Sequence, residues 1–555
     1  MGRYTIGIDY GTLSGRTLLI DCQTGEEIAD SVYEYSHGVM DEMLPDGTKL
    51  GIDWALQHPT DYLDVIYNTI PDVIQKGNIN PKDIIGIGTD FTACTLVATK
   101  EDGTPLCLLD EYKSEPHAYV KLWKHHAAQD EANRLNNIAE ARGETWLKNY
   151  GGKISSEWAV PKIWQVLNEA PEIYDATDKF IEAADWVVWQ LTGQESRNSC
   201  TAGYKGMYNK NSGYPSVDFF RALDANLENI LDKLGKIITP LGQKAGYLTK
   251  EMAQRLGLNE DVAVSVGNVD AHVTVPAAGI DETGKMLAIM GTSTCHMVLA
   301  HTEEQVPGMC GVVADGILEG LYGYEAGQSC VGDHFSWFID NCLPASYYEE
   351  AKGSGEDIHQ LLARKASLKK AGESGVLALD WWNGNRSVLV DVDLTGLLIG
   401  CTLLTRPEDI YRALIEATAY GTKVIVDNYI NHGIEVDEFY ASGGISQKNP
   451  FMMQIYADVL NIPVKIASAV HGPAYGSAMF AAVAAGAKNG GYDSIKDAVK
   501  TIGGKVSEIY YPIEKNVEIY DKLFKEYLTL HDYFGRGSND VMKRLKAIQQ
   551  DVIAE

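Results

Sequence analysis

Cations are scarce in this chain: 47 lysines and arginines stand against 76 aspartates and glutamates, a formal charge of −29. Nucleic acid and anionic membrane surfaces therefore find no broad basic face to bind. An anionic ligand has to be held locally, and a loop of backbone N–H groups can do that in an acidic chain. Cysteine is thinly spread: the nine (22, 94, 107, 200, 295, 310, 330, 342 and 401) contain no Cys-x-x-Cys pair and are odd in number. That argues against a disulfide framework and a structural zinc site, and fits reduced thiols in a cytoplasmic protein. Nowhere do 18 apolar residues run together, and the best stretch, 478–487, is too short to span a bilayer. No secretory signal is visible at the start. Met1-Gly2 opens like a myristoylation site, but Ile6 stands where Ser or Thr is needed.

Two nucleotide-binding signatures are missing as well. Gly279 to Lys285 nearly supplies a Walker loop, yet Met286 occupies the place of the magnesium-binding hydroxyl, so the segment reads as a turn between domains. No G-x-G-x-x-G is present. A bound nucleotide would need another architecture.

What the chain has is length and pattern. Its 555 residues, 45% hydrophobic and 22% charged, are those of a globular protein. They exceed one core, and two domains of roughly 250 to 300 residues are expected. Residues 4–9 and 16–21 read as strands joined by a turn of glycine and hydroxyls, Asp9-Tyr10-Gly11-Thr12-Leu13-Ser14-Gly15-Arg16. A helix over 59–76 and strands over 84–88 and 95–99 follow, an α/β organisation. Helical spacing over 119–191 carries six tryptophans, most of them suited to a core. A strand at 262–266 leads into Gly267-Asn268-Val269-Asp270 and a helix through 278. From residue 285 the opening pattern returns: strand 286–290, Gly291-Thr292-Ser293-Thr294, strand 295–300. The recurrence predicts a duplicated domain, divided within 279–284 into halves 1–280 and 281–555, whose turns enclose polyphosphate from two sides. Helices over 407–431, 450–460 and 475–486, a strand over 438–442 ending in Gly443-Gly444, and a charged helical tail over 517–555 complete the reading.

In Asp9-x-Gly11-Thr12-x-x-x-Arg16 the glycine lets N–H groups approach phosphate, the hydroxyls of Thr12 and Ser14 donate further bonds, and the carboxylate can hold Mg²⁺. An ordinary hairpin turn has the same composition. The recurrence as Gly291-Thr292-Ser293, with Ser442-Gly443-Gly444-Ile445 downstream, favours the ligand. Asp270 reads as a general base or a helix N-cap. Arg16 is a phosphate clamp or a solvent-facing strand residue. By themselves Trp123 reads as a core residue and Lys205 and Glu325 as solvated surface residues. His272, His125 and His126 show no metal-ligand spacing and read as structural or surface groups.

These stretches, in this order and over nearly the whole chain, resemble the FGGY family of carbohydrate kinases in the actin, hexokinase and Hsp70 superfamily. Pro161-Lys162-Ile163-Trp164 and Asp409-Ile410-x-x-Ala413-Leu414-Ile415-Glu416 approximate two further family patterns, the first with Trp one place early, the second farther than usual from Gly396-Leu397. The resemblance implies an α/β fold of two ribonuclease-H-like domains with an interdomain active-site cleft. The N-terminal domain would hold sugar, phosphate and base, and the C-terminal domain adenosine, with ATP and Mg²⁺ as cofactors. It implies ATP contacts from Gly11, Thr12, Ser14, Arg16, Gly291, Thr292, Ser293, Gly443, Gly444 and Asn449, with Gln454 and Asp458 framing the adenosine. Asp9 would serve the metal and Asp270 would be the catalytic base. Segments 88–94, 202–206 and 324–328 resemble those of the ketopentose-phosphorylating branch, which implies a pocket of Ala93, Trp123, Lys205, Asp270 and Glu325. The expected reaction moves the γ-phosphoryl of ATP to a ketopentose, L-ribulose first. Xylulose, glycerol or a deoxy-sugar is the alternative acceptor, and a sugar-independent ATPase the alternative class. The expected partner is a small sugar, with neither nucleic acid nor membrane, and a homodimer is the expected assembly.

Overall fold

The computed structural model describes residues 2–554. The chain builds two mixed sheets of like design. In the first, β1 (Tyr4–Tyr10), β2 (Ser14–Asp21) and β3 (Glu27–Glu34) form an antiparallel meander, and β4 (Ile84–Phe91) joins parallel to β1. β5 (Lys244–Tyr247), β6 (Ala263–Ser265) and β7 (Asn268–Val269) complete it, the last two parallel to β4. A parallel pair needs a crossover, and α1 (Pro59–Gly77) lies between β3 and β4. Its apolar stripe of Tyr62, Val65, Ile66, Ile70 and Val73 recurs at helical spacing and shares a core with Ile6, Ile8, Leu19 and Ile87. Each aliphatic side chain buried there contributes roughly 1.5–3 kcal/mol.

After β7 comes α2 (Asp270–Ala277), and a short connection leads to the second sheet. It comprises β8 (Gly284–Met290), β9 (Thr294–Ala300), β10 (Gly311–Ala314), β11 (Tyr322–Gln328), β12 (Val436–Ser442), β13 (Val464–Ala467) and β14 (Val506–Tyr510). β8 pairs antiparallel with β9 and parallel with β12, as β1 does with β2 and β4. The repeat of Gly-Thr turns is thus a repeat of topology. α3 (Pro407–Asn431), the crossover before β12, covers the residues expected of it.

The halves interlock through α4 (Gly472–Ala485), which comes from the C-terminal half yet lies against β1 and β4. Contact is backbone to backbone. A Cβ on Gly7 would stand 1.8 Å from the Ala474 carbonyl oxygen, and one on Gly88 2.1 Å from that of Ser477. Glycine on the strands and alanine or serine on the helix are what permit this approach. Gly476 meets α2 in the same way, 2.0 Å from the Val273 carbonyl oxygen. α4 is therefore wedged between the first sheet and α2.

A four-stranded sheet of Leu56–Gln57, Val120–Lys121, Leu96–Thr99 and Lys179–Glu182 stands beside the first, with the helix Ala159–Glu169. Trp158, Trp164 and Trp186 are core residues, whereas Trp123 is half-buried. The tail is helical, in two pieces, Glu514–Gly535 and Val541–Ala554; Met1 and Glu555 lie outside the described residues. Among the described residues no helix is long and apolar enough to cross a membrane, and all nine cysteines are unpaired.

Candidate active site

β1, β4 and β7 end side by side, with Asp9 opposite Asp90 and Asp90 opposite Asn268. α2 then begins at Asp270, so three carboxylates gather at the carboxyl edge of the sheet, where open α/β sheets bind ligands. Val269 is the N-cap and Asp270 the first helical residue; its Oδ1 accepts from the Ala271 N–H at 2.7 Å and makes no capping bond. The N-cap reading of Asp270 is thereby corrected. Burial pushes its pKa up to about 7, aided by the fields of Asp9 and Glu325 and opposed by the Ala271 N–H. Asp90 is wholly buried, and burial followed by the charge of Asp9 holds its pKa far above the carboxylate range. Ser477 of α4 donates to Asp90 Oδ2 at 2.6 Å, while Oδ1 has no partner among the described residues. Burial raises Asp9 too, with Arg16 pulling the other way.

The Gly11 N–H donates to the Ser14 carbonyl at 3.0 Å and closes a turn whose tip, Leu13, is 61% exposed. Thr12 Oγ1 accepts from the Trp123 indole N–H at 3.1 Å, so Trp123 is tied to this turn. Arg16, opposite Asp9 in the hairpin, donates to Asp30 at 2.9 Å. The matching turn of the second sheet is tighter: the Gly291 N–H donates to the Ser293 carbonyl at 2.9 Å, and the Gly291 and Thr292 carbonyls accept from Gly332 and Val331. Gly443, with φ of 96°, follows β12 beside it. A Cβ there would stand 2.4 Å from the Met290 carbonyl oxygen, whereas one on Gly444 would meet open space. Asn449 caps the helix Pro450–Leu460 through the Met452 N–H. Gln454 and Asp458 bond each other and residues 511, 513 and 516, and so hold the start of the tail.

Lys205 and Glu325 are only 8% and 5% exposed, which removes the solvated reading of both. Lys205 follows the helix Ser199–Tyr204 of one half and Glu325 lies on β11 of the other; Nζ and Oε1 are 3.0 Å apart. Burial opposes the charge on each partner. The Lys205 ammonium and His272 overcome it and hold Glu325 well below the carboxylate range, and Glu325 in turn raises Lys205. His272, expected to be a structural or surface group, is buried in this cluster with Nε2 3.3 Å from Glu325 Oε2 and its ring centroid 4.1 Å from that of Tyr204. Ala93 is half-buried on the loop after β4, and Cys94 beside it adopts a left-handed conformation, φ 62°. Sequence reasoning missed Asp90, Ser477 and Arg386, whose Nη2 lies 3.3 Å from Glu157 Oε2 across the two halves. Asp90 had a signal, a carboxylate ending an otherwise apolar strand; the other two had none.

Carboxylates and glycine turns at the edges of two like sheets suit phosphoryl transfer, and the family comparison makes the class a carbohydrate kinase. The N-terminal domain of the FGGY family of carbohydrate kinases matches residues 4–276 and its C-terminal domain residues 286–485; the chain belongs to this family. It uses ATP as the family does. Proteins named ribulokinase are similar along their whole length. That of Geobacillus thermodenitrificans is 59% identical over 98% of this chain and 97% of its own, and that of Halalkalibacterium halodurans 57% identical over 99% and 98%. Among solved structures, xylulose kinase from Rhodospirillum rubrum superposes with a TM-score of 0.79 at 22% identity, covering 95% of this chain and 98% of its own. Plasmodium falciparum glycerol kinase with ADP gives 0.74 at 16% identity, covering 95% and 98%. At those identities the structures speak for the fold alone.

Proposed function

We propose that the chain transfers the γ-phosphoryl of ATP to L-ribulose, giving L-ribulose 5-phosphate. One observation carries the assignment of roles: Asp270, its pKa pushed up to about 7 by burial, lies within the fields of both Asp9 at the first glycine turn and Glu325 of the Lys205–Glu325–His272 cluster. A carboxylate so poised accepts the proton of the attacking sugar hydroxyl, a contribution of about 10²- to 10⁴-fold in rate. The Gly11 and Gly291 N–H groups close the two turns, which leaves Thr12 and Ser14 to hold phosphate from one side and Thr292 and Ser293 from the other. Gly443 packs on the Met290 backbone and so sets the turn, Gly444 leaves room for adenosine, and Asn449 braces the helix behind them. Ala93, Trp123, Lys205, Glu325 and His272 shape the sugar pocket. Arg16, held by Asp30, lends its charge to Asp9. In this reading residues 1–280 take sugar and phosphate and residues 281–555 adenosine, and the unpaired cysteines suit the cytoplasm.

The donor set fits Mg²⁺. Asp9 and Asp90 lie side by side with one Asp90 oxygen unpartnered among the described residues. Magnesium is commonly held in this way, by one or two carboxylates plus phosphate oxygens and water. Asp9 and Asp90 would hold the ion, which when bound would supply charge neutralisation for the transferring group. The test is ADP release with L-ribulose, D-ribulose, D-xylulose, glycerol and L-fuculose. Turnover should be fastest with L-ribulose. Silence with every ketopentose would overturn the proposal, and hydrolysis indifferent to sugar would favour an ATPase.

A further inference from the structure

We propose that Lys162 is a positioning residue of the sugar pocket, a buried ammonium that fixes the spacing between the loop carrying Ala93 and the segment carrying Trp123. The inference rests on the sugar-site reading above. Lys162 lies on the helix Ala159–Glu169, none of whose residues belongs to that pocket. Its side chain is completely buried, and Nζ donates to the Cys94 carbonyl at 2.7 Å and to the Leu122 carbonyl at 2.8 Å. Cys94 is the neighbour of Ala93, and Leu122 the neighbour of Trp123. One ammonium thus grips both walls, each at the peptide next to the residue that faces sugar.

Both grips fall where the backbone gains from an outside hold. Cys94 is left-handed, φ 62°, a conformation that a residue with a Cβ keeps only when its surroundings impose it. Trp123 is already bonded at its indole to Thr12, so securing the Leu122 peptide fixes the other end of the same segment. A residue needed only to fill space would be aliphatic, because a buried charge is costly unless paired and hydrogen-bonded. Burial does pull the Lys162 pKa down, and the fields of Glu182 and Glu157 oppose it. Recognition of a small polyol depends on wall positions, and a displacement of about 1 Å can lower turnover by about 10²-fold.

Lys162→Met keeps the length of the stem and removes the donors. Expected are a sugar KM raised about tenfold or more, a narrowed preference for L-ribulose over D-ribulose, and an ATP KM within about threefold of wild type. Trp123→Ala, which alters a wall directly, is assayed in parallel. If Trp123→Ala leaves the sugar KM unchanged, the sugar-site reading itself fails. If Trp123→Ala raises it while folded Lys162→Met shows wild-type sugar KM and wild-type L/D preference, the positioning role alone is overturned. Should Lys162→Met not fold, Lys162→Arg, which keeps the charge and alters the reach, decides in the same way: a raised sugar KM supports the role and an unchanged one refutes it.

Discussion

Replacing Asp270 with Asn separates what the carboxylate does for catalysis from what it does to stability. Burial and the neighbouring carboxylates raise its pKa from 3.8 to about 7. A shift of about 3 units corresponds to roughly 4 kcal/mol at 1.36 kcal/mol per unit. The sign follows from which state holds the proton. The native carboxyl binds it more tightly than the unfolded chain does, so the penalty of ionisation is absent below about pH 4, grows between about 4 and 7, and is complete above that. Asparagine has the same shape, can still accept from the Ala271 N–H, and never ionises. At pH 8 the variant should therefore melt higher. For a chain of this length, with an unfolding entropy of about 2.1 cal/mol/K per residue, 4 kcal/mol is about 3 °C. The advantage should shrink as the pH is lowered toward 5. Phosphoryl transfer should meanwhile fall by about 10²- to 10⁴-fold with ATP binding retained. Calorimetry at both pH values and ADP release with L-ribulose provide the assay. Near-wild-type turnover would place the base elsewhere, and a lower melting temperature at pH 8 would refute the electrostatic reasoning.

The same pKa predicts that kcat/KM for sugar falls about tenfold per pH unit below about 7, as Asp270 takes up its proton; a flat profile from 5.5 to 8 contradicts it. Gly443→Ala should destabilise the fold, because its positive φ and the Met290 carbonyl leave no room for a Cβ, whereas Gly444→Ala should fold normally and raise the ATP KM. Thermal melts and ATP titrations separate the two. Lys205→Met strands Glu325 as a buried charge and should lower stability in urea by on the order of 3–5 kcal/mol while raising the sugar KM. Adding Glu325→Gln should recover stability and not activity.

Elements whose cause is local were legible in the sequence. The opening hairpin and its echo at Gly291 announce themselves as alternating apolar residues around glycine and hydroxyls. α3 was readable over all its residues because Pro407 marks a first helical turn and the apolar period holds to Asn431. Pairings between distant segments were hidden. Asp90 matters because parallel register sets it beside Asp9, which no local pattern states. Ser477 lies in a run of alanines whose smallness is explained only by the glycines of β1 and β4 opposite. Lys and Glu are mostly surface residues, so Lys205 and Glu325 were visible as site residues only through family resemblance; their pairing across the two halves is what allows both to be buried. His272 has no carboxylate at local spacing; Glu325, 3.3 Å from its Nε2, comes from the other half of the molecule.

The most direct test of the central claim is a structure with L-ribulose and a non-hydrolysable ATP analogue bound. The account predicts the O5 hydroxyl within hydrogen-bond reach of Asp270, about 2.6–3.2 Å, and the γ-phosphate between the Gly11–Thr12 and Gly291–Ser293 turns. A sugar whose O5 faces another carboxylate, such as Glu325, with Asp270 out of reach, would contradict it.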